Sequence, residues 1–313
     1  ADLVVSLVTL KPEILTGFGR GCCKQWVLEP LIEVADPPVA DAIIESDAQI
    51  LACLKPRPSN AHKGQCGHVV VVGGDLGMAG AAIFTAYSAL AMGVGQVTVI
   101  THPEHFFHMS VAHPKLVTIS WENPKRIDLF ARADVIVIGP GCCASSLLER
   151  QLDEVFVANT NLVIDAGACR CLPALQRPHQ RFILTPHLGE ARALLGDGSD
   201  LIERFTMIDA ILQRYGGHCV LKGPGTLIGG HRDGITRIEP YGHAALASAG
   251  IGDVLAGLIA GGWAQSMTGN HAAQLGVRLH AMIGDDLQFN HHMNAIQPNQ
   301  LINKVESFLA QPR

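Results

Sequence analysis

The 313-residue chain sets 23 Lys and Arg against 28 Asp and Glu, for a formal net charge of −5 with no basic block, which argues against nucleic acid as a partner. Its 48% hydrophobic share holds only 5% aromatic residues and comes with 33 glycines, the composition of an α/β core built from Ala, Val, Leu and Gly. No run reaches the ~18 apolar residues of a membrane span, and Ala1-Asp2-Leu3-Val4 opens no signal-peptide pattern, so no membrane contact and a cytoplasmic location are expected. The nine cysteines, an odd number with adjacent pairs at Cys22-Cys23 and Cys142-Cys143 and no C-x-x-C, read as reduced thiols rather than as disulfides or a zinc site. The histidines form no metal motif, and His291-His292 is expected in a solvated loop.

In chain order, Val4–Leu10 reads as a strand, Gly17-Phe18-Gly19-Arg20-Gly21 as a glycine-rich turn, and Val27–Ile32 as a second strand. This strand-turn-strand pattern over residues 1–37 resembles the end of another domain. Ala40–Leu54 suits one amphipathic helix with Ile43, Ile44, Ile50 and Leu51 on one side, and Lys55-Pro56-Arg57-Pro58-Ser59-Asn60 reads as a stiff polar linker. These two stretches make residues 38–61 a helix and linker, with the main domain over residues 62–313.

From His62 onward the pattern alternates. Val69–Val72 reads as a buried strand ending in Gly73-Gly74, and Gly80–Gly93 as an Ala-rich helix. Val97–Ile100 and Val135–Ile138 are the next strands, the latter closed by Gly139-Pro140-Gly141. Leu162–Ile164 runs into Asp165, Phe182–Leu184 into Thr185-Pro186-His187, and His218–Leu221 into Lys222-Gly223-Pro224-Gly225-Thr226. Apolar strand, polar loop and helix in repetition specify an α/β fold with a mostly parallel central sheet and helices on both faces. Asp165, His187 and Lys222 follow the carboxyl ends of such strands, and Glu190 follows closely, at the edge where open α/β sheets bind ligands.

Ala247–Ile259 carries the most specific chemistry. Gly250-Ile251-Gly252-Asp253 precedes an apolar helical run, so backbone N–H groups and the helix dipole make an anion site there. A carboxylate beside it either caps the helix or takes a proton from an attacking hydroxyl. Local sequence leaves other residues equally open. Lys222 is a solvated turn lysine or a ligand contact, His187 a hydrogen-bonded strand-end histidine or a ligand contact, and Asp165 and Glu190 are caps or metal helpers. Cys142 and Cys143, beside an anion-loop-like turn, are read as packing residues.

His62-Lys63-Gly64, Gly67-His68, Gly73-Gly74, Gly77-Met78-Ala79-Gly80-Ala81, Gly139-Pro140-Gly141, Thr185-Pro186-His187 with Gly189-Glu190, Lys222–Thr226 and Gly250–Asp253 stand in one order. In that order they resemble the ADP/ATP-dependent NAD(P)H-hydrate dehydratases of the ribokinase-like superfamily, from about residue 62 to 310, with His280 and Gly284-Asp285 resembling the closing helix. Residues 1–37 resemble, more faintly, the tail of the epimerase domain that precedes the dehydratase in bifunctional NAD(P)H-hydrate repair enzymes.

The resemblance implies a ribokinase-like fold and dehydration of hydrated NADH or NADPH, a metabolite repair in which ADP or ATP phosphorylates the 6-hydroxyl and phosphate is then eliminated. It implies Asp253 as base with the Gly250, Ile251 and Gly252 amides as the anion hole. Ala81, Gly141, His187 and Asp253 would bind the hydrated cofactor, and Lys222, Gly223, Pro224, Gly225, Thr226 and Gly252 the nucleotide. It further implies Mg2+ carried on the phosphates without a protein cage, and a homo-oligomer, often a tetramer. The sequence departs from the family pattern at His243-Ala244-Ala245-Leu246-Ala247, where Asn-Pro-Gly-Met-Ala is usual, and at Leu188, Lys115, Gly167 and Ala249. Two other readings stay open: a ribokinase-like kinase of a vitamin precursor, and a non-catalytic nucleotide-binding regulatory domain.

Overall fold

Alternate residues of the central strands sort into two cores. Val70, Val72, Ile136, Ile138, Leu162 and Ile164 belong to one apolar cluster, and Val69, Val71, Val135, Val137, Val163 and Ile183 to another. Side chains of a strand alternate between faces, so a strand buried on both sides reads as an unbroken apolar run. The computed structural model of the chain describes residues 1–23, 25–31, 40–172, 179–196, 203–291 and 294–311. The expected boundary at residues 37–38, Ile32 and His292 lie outside the described residues.

The amino-terminal part consists of β1 (Leu3–Leu7), the short helices α1 (Pro12–Leu15) and α2 (Gly17–Cys22), and β2 (Gln25–Glu29). β1 and β2 pair in parallel, Leu3 opposite Gln25 and Leu7 opposite Glu29. A tight turn cannot join parallel strands, which need a crossover, so the expected glycine turn at 17–21 is helical instead. The expected Ala40–Leu54 helix shrinks to α3 (Asp47–Leu51). Ser46 and Gln49 form a capping box that starts it late, and the residues before it are drawn to the sheet, where Ile43 donates to the Thr236 carbonyl at 3.0 Å.

The main domain continues as β3 (His68–Val72), α4 (Ala79–Ala91), β4 (Gln96–Thr101), α5 (Pro103–Ala112), β5 (Val117–Ser120), α6 (Arg126–Arg132), β6 (Val135–Ile138), α7 (Ser146–Val157), β7 (Asn161–Ile164) and α8 (Gly167–Cys171). Then come β8 (His179–Leu184), α9 (Leu188–Leu195), α10 (Arg204–Tyr215), β9 (Gly216–Leu221), β10 (Thr226–Gly230), β11 (Arg237–Glu239), α11 (Ile251–Ala264), α12 (Gly269–His291) and α13 (Pro298–Leu309). Nine strands form one sheet in the order β11-β10-β9-β8-β7-β6-β3-β4-β5. It is parallel except where β9, β10 and β11 run antiparallel. The sequence reading found neither β5, β10 nor β11. It also placed His291 in a loop, whereas it ends α12.

α4, α11 and α12 cover one face and α7 to α10 the other, as the members of the two clusters record. The ladder runs outward in opposite directions from β3 and β6, making a switch point of the kind that opens a crevice at the strand ends. The loops there meet directly: Gly74 donates to the Pro140 carbonyl at 2.9 Å, and a Cβ on Gly73 would collide with that same carbonyl.

The segments before β3 are bonded to this body. Arg278 of α12, 1% exposed, donates through Nε to Glu239 at 2.7 Å, through Nη1 to Asp47 and through Nη2 to the Glu45 carbonyl at 3.0 Å. Leu15, also 1% exposed, joins the apolar cluster, and Gly17 donates to the Pro224 carbonyl at 3.0 Å.

Candidate active site

Three consecutive strand ends deliver the charged groups. β7 leads directly into Asp165, β8 leads through Thr185 and Pro186 to His187 at the start of α9, and β9 leads directly into Lys222. Lys222 Nζ lies 2.8 Å from Asp165 Oδ1 and 3.9 Å from Glu190 Oε2. The Thr185 hydroxyl donates to the same Asp165 oxygen at 2.7 Å. Burial works against the Lys222 ammonium, but Asp165 and Glu190 outweigh it and raise its pKa, so the cation persists. Breaking such a buried pair leaves an uncompensated charge, which fixes Lys222 in this position.

His187 is the N-cap of α9. Its Nδ1 accepts from the Gly189 and Glu190 amides at 2.9 and 3.3 Å, while its own amide donates to Glu190 Oε2 at 2.9 Å. Its Nε2 stands 3.2 Å from Glu190 Oε1. Glu190 is therefore a capping carboxylate, one of the two roles left open by the sequence, and also a neighbour of Lys222.

Gly250 begins α11 at φ +84°, a left-handed value that a side chain resists, and a Cβ there would sit 2.9 Å from Phe84 and from Pro298. A Cβ on Gly252 would sit 3.6 Å from Lys222 Nζ, so the helix start and the lysine are neighbours. The Ile251 amide already donates to the Ser248 carbonyl at 3.3 Å, which takes one of the three amides expected at the anion hole out of that role. First-turn amides further along have no partner within a helix and remain donors by construction.

Asp253 lies in that first turn, with its carbonyl bonded to the Thr85 hydroxyl of α4 at 3.1 Å. Among the described residues, no side chain hydrogen-bonds to its carboxylate. Burial, the Asp165 charge and Glu190 push its pKa up from 3.8 to about 7 against the pull of Lys222. A carboxyl poised near neutrality suits proton transfer better than capping. Behind it, His280 of α12 donates from Nε2 to the Ile251 carbonyl at 3.1 Å, and burial lowers its pKa to about 4 and keeps it neutral.

A cavity of about 1010 Å³ opens beside these groups. His187, Lys222, Gly223, Pro224, Thr226 and Gly252 line it. Of the remaining expected residues, Gly225 turns away at φ +62°, where a Cβ would strike the Leu15 carbonyl. Ala81 and Gly141 face each other across the switch point instead, a Cβ on Gly141 falling 2.9 Å from the Ala81 Cβ. The structure thus groups the lysine loop, His187 and Gly252 in one cavity, which Ala81, Gly141, Gly250 and Asp253 do not line; Gly250 and Asp253 pack against α4, the helix that carries Ala81.

Several cavity residues escaped the sequence reading. Phe18 and Arg20 of α2 line it, as do Tyr241 and Gly242. Their one signal was the Gly17–Gly21 stretch, read there as a turn. The departures Leu188, His243, Ala244, Leu246 and Ala247 line the cavity too. His243 caps the turn that follows, its Nδ1 accepting from the Ala245 amide at 3.0 Å. Gly167 has a steric reason, because a Cβ there would meet the Cys142 carbonyl. Burial raises the Cys142 thiol to about 12, in line with packing rather than reactivity. Among the described residues, no three His, Cys, Asp or Glu side chains converge to hold a metal ion. No helix there is long and apolar enough to cross a membrane.

Comparison with known proteins turns this geometry into a relationship. The family model described as NAD(P)H-hydrate dehydratase matches residues 69–307. The bifunctional NAD(P)H-hydrate repair enzyme of Escherichia coli is 34% identical over 291 residues, 92% of this chain and 56% of that protein. The ADP-dependent (S)-NAD(P)H-hydrate dehydratase of Lactiplantibacillus plantarum is 32% identical over 259 residues, 81% of this chain and 91% of that protein. The ADP/ATP-dependent NAD(P)H-hydrate dehydratase of Bacillus subtilis, co-crystallised with ATP/Mg2+, superposes with a TM-score of 0.75 at 25% identity, covering 85% of this chain and 97% of that one. The chain spans little more than half the length of the bifunctional relative.

Proposed function

We propose, proceeding from the fact that this chain belongs to the NAD(P)H-hydrate dehydratase family, that it repairs hydrated NADH and NADPH with an adenine nucleotide as phosphoryl donor. The observation that carries the reading is Asp253, a carboxyl held near pKa 7 at the start of α11 and beside the Lys222–Asp165 pair. Asp253 takes the proton from the 6-hydroxyl of the hydrated nicotinamide, and the oxygen attacks the terminal phosphorus. The bond from that phosphorus to the nucleotide breaks, releasing ADP from ATP or AMP from ADP. The ring nitrogen then expels the phosphate as the C6–O bond breaks, and loss of a C5 proton restores the C5–C6 double bond.

The amides of Gly250 and Gly252, at the positive end of α11, stabilise charge on the transferring group, and Lys222 adds its own charge beside them. Lys222, Gly223, Pro224, Gly225 and Thr226 form the nucleotide loop, and Ala81, Gly141, His187 and Asp253 receive the hydrated cofactor. The donor set fits Mg2+ borne on nucleotide phosphates, because Asp165 and Glu190 offer hard oxygens and such a metal needs one or two carboxylates beside its phosphates. When bound, it neutralises phosphate charge.

Residues 1–37 we read as the end of an epimerase domain, a reading supported by the alignment to the bifunctional relative reaching 92% of the chain. A cytoplasmic homo-oligomer, a tetramer by family resemblance, completes the proposal. The test is incubation with hydrated NADH and ADP or ATP, following recovered NADH absorbance together with phosphate release. Recovery with either nucleotide supports the reading, and a stable phosphorylated product without NADH would reassign the chain to small-molecule kinases.

A further inference from the structure

The cavity wall combines charge with apolar surface: Lys222 and the Gly252 backbone at the start of α11 line it, and so do Leu246, Val277 and Ala281. A nucleotide offers the same two kinds of surface, phosphates and a flat base. One wall comes from outside the main domain: Gly17, Phe18, Arg20 and Gly21 of α2.

That wall is fixed in place. Gly17 donates to the Pro224 carbonyl at 3.0 Å, which ties α2 to the lysine loop itself. Arg20 donates through Nε to the Pro240 carbonyl at 3.2 Å, which ties it beside Tyr241 and Gly242. Leu15, just before α2, is buried in the core. Between these ties Phe18 is 98% exposed, although its backbone is held at both ends. A phenyl ring left wholly in water beside a cavity costs free energy that only a covering group recovers. An aromatic face of this kind accepts a nucleobase by stacking, with little demand on base identity.

We propose that Phe18 is a binding residue for the nucleotide, stacking on its base, so that residues 15–21 form part of the nucleotide site of the main domain. This rests on the nucleotide-dependent reading above. Arg20 and Gly17 act as positioning residues that hold the ring over the cavity.

The test uses the full chain and Phe18→Ala, with Phe18→Trp as the conservative variant. Because the ring is exposed, thermal melting of both variants should match the unaltered chain. Calorimetric titration with ADP should show about tenfold weaker binding in Phe18→Ala, the size of one lost base-stacking contact. Phe18→Trp should bind as the unaltered chain does. In turnover assays Phe18→Ala should raise KM for ADP by the same factor and leave KM for hydrated NADH where it was. ADP affinity within twofold of the unaltered chain in Phe18→Ala overturns this inference alone. Failure of the unaltered chain to bind either ADP or ATP overturns it together with the nucleotide-dependent reading.

Discussion

The two ends of the cavity wall are held by different means. The first is built from the carboxyl ends of β8 and β9, with Asp165 after β7 bonded to Lys222, and from the start of α11. The second is borrowed from residues far away in sequence: α2, and Tyr241, whose ring lies under the Arg278 guanidinium at 5.1 Å. Strand ends place a charged group to within the tolerance chemistry requires, because neighbouring strands fix them through a hydrogen-bonded ladder. Residues brought in by a handful of side-chain bonds can be retuned without disturbing that ladder. The departures at Leu188, His243, Ala244, Leu246 and Ala247 fall on the cavity wall, whereas Gly250, Gly252 and Asp253 are intact.

The sharpest test of the first end is Asp253→Asn, which keeps the shape and removes the base. Turnover of hydrated NADH should fall by about 10²- to 10⁴-fold, the usual worth of a positioned base, with ADP binding retained by calorimetry. Turnover at the unaltered rate would remove Asp253 from the mechanism. For the second end, Arg278→Ala strips Glu239 of its buried partner and frees the segment at Asp47. A loss of about 3–5 kcal/mol in denaturant unfolding is expected, because the remaining carboxylate stays buried and unpaired. An unchanged midpoint would mean that these ties are incidental.

A smaller change attacks the join between α2 and the lysine loop. Gly225→Ala forces a side chain into a left-handed backbone position, at a cost of about 1–2 kcal/mol, and pushes it against the Leu15 carbonyl. Its melting temperature should fall and KM for ADP should rise; an unchanged KM despite the fall would show that the two segments are not coupled. The smallest effect is in the pH profile. The acid limb of kcat/KM should sit near pH 7, since Asp253 must lose its proton to act and its pKa in the free protein is pushed to about 7. Removing the Glu190 charge in Glu190→Gln takes away one influence that raises it, so the limb should move to lower pH. A limb that stays in place or moves up would assign it to another group.

Much of the first end was legible beforehand. Val69–Val72 and Val135–Ile138 announce strands buried on both faces by their unbroken branched runs, and Gly250-Ile251-Gly252-Asp253 announces the helix start found at α11. That alternation pointed to a mostly parallel sheet covered by helices, and the family resemblance carried by the order of the motifs implied that the fold is ribokinase-like, as it is. What could not be read was pairing across long separations. Nothing near Lys222 says that its Nζ meets Asp165, 57 residues earlier. β10 and β11 were hidden because Gly229 and Gly230 dilute a short strand and Arg237–Glu239 is three residues long. The Gly17–Gly21 stretch misled because glycine disfavours helix locally, and only the parallel pairing of β1 with β2 demands a crossover there. Ser46 and Gln49 did carry a readable signal, the S-x-x-Q capping box, and it marks where the 40–54 helix had to begin.

The bond from Arg20 to the Pro240 carbonyl spans 220 residues, and that from Arg278 to Asp47 spans 231. Contacts this distant form late, because loop closure must precede any gain from them. During synthesis α2 therefore waits, unplaced, until the β9–β11 meander exists to receive it. The α2 wall of the cavity is thus made before the residues that seat it, and a chain interrupted before residue 240 would hold Asp165 and Lys222 but lack the wall that Tyr241, Leu246 and Ala281 supply.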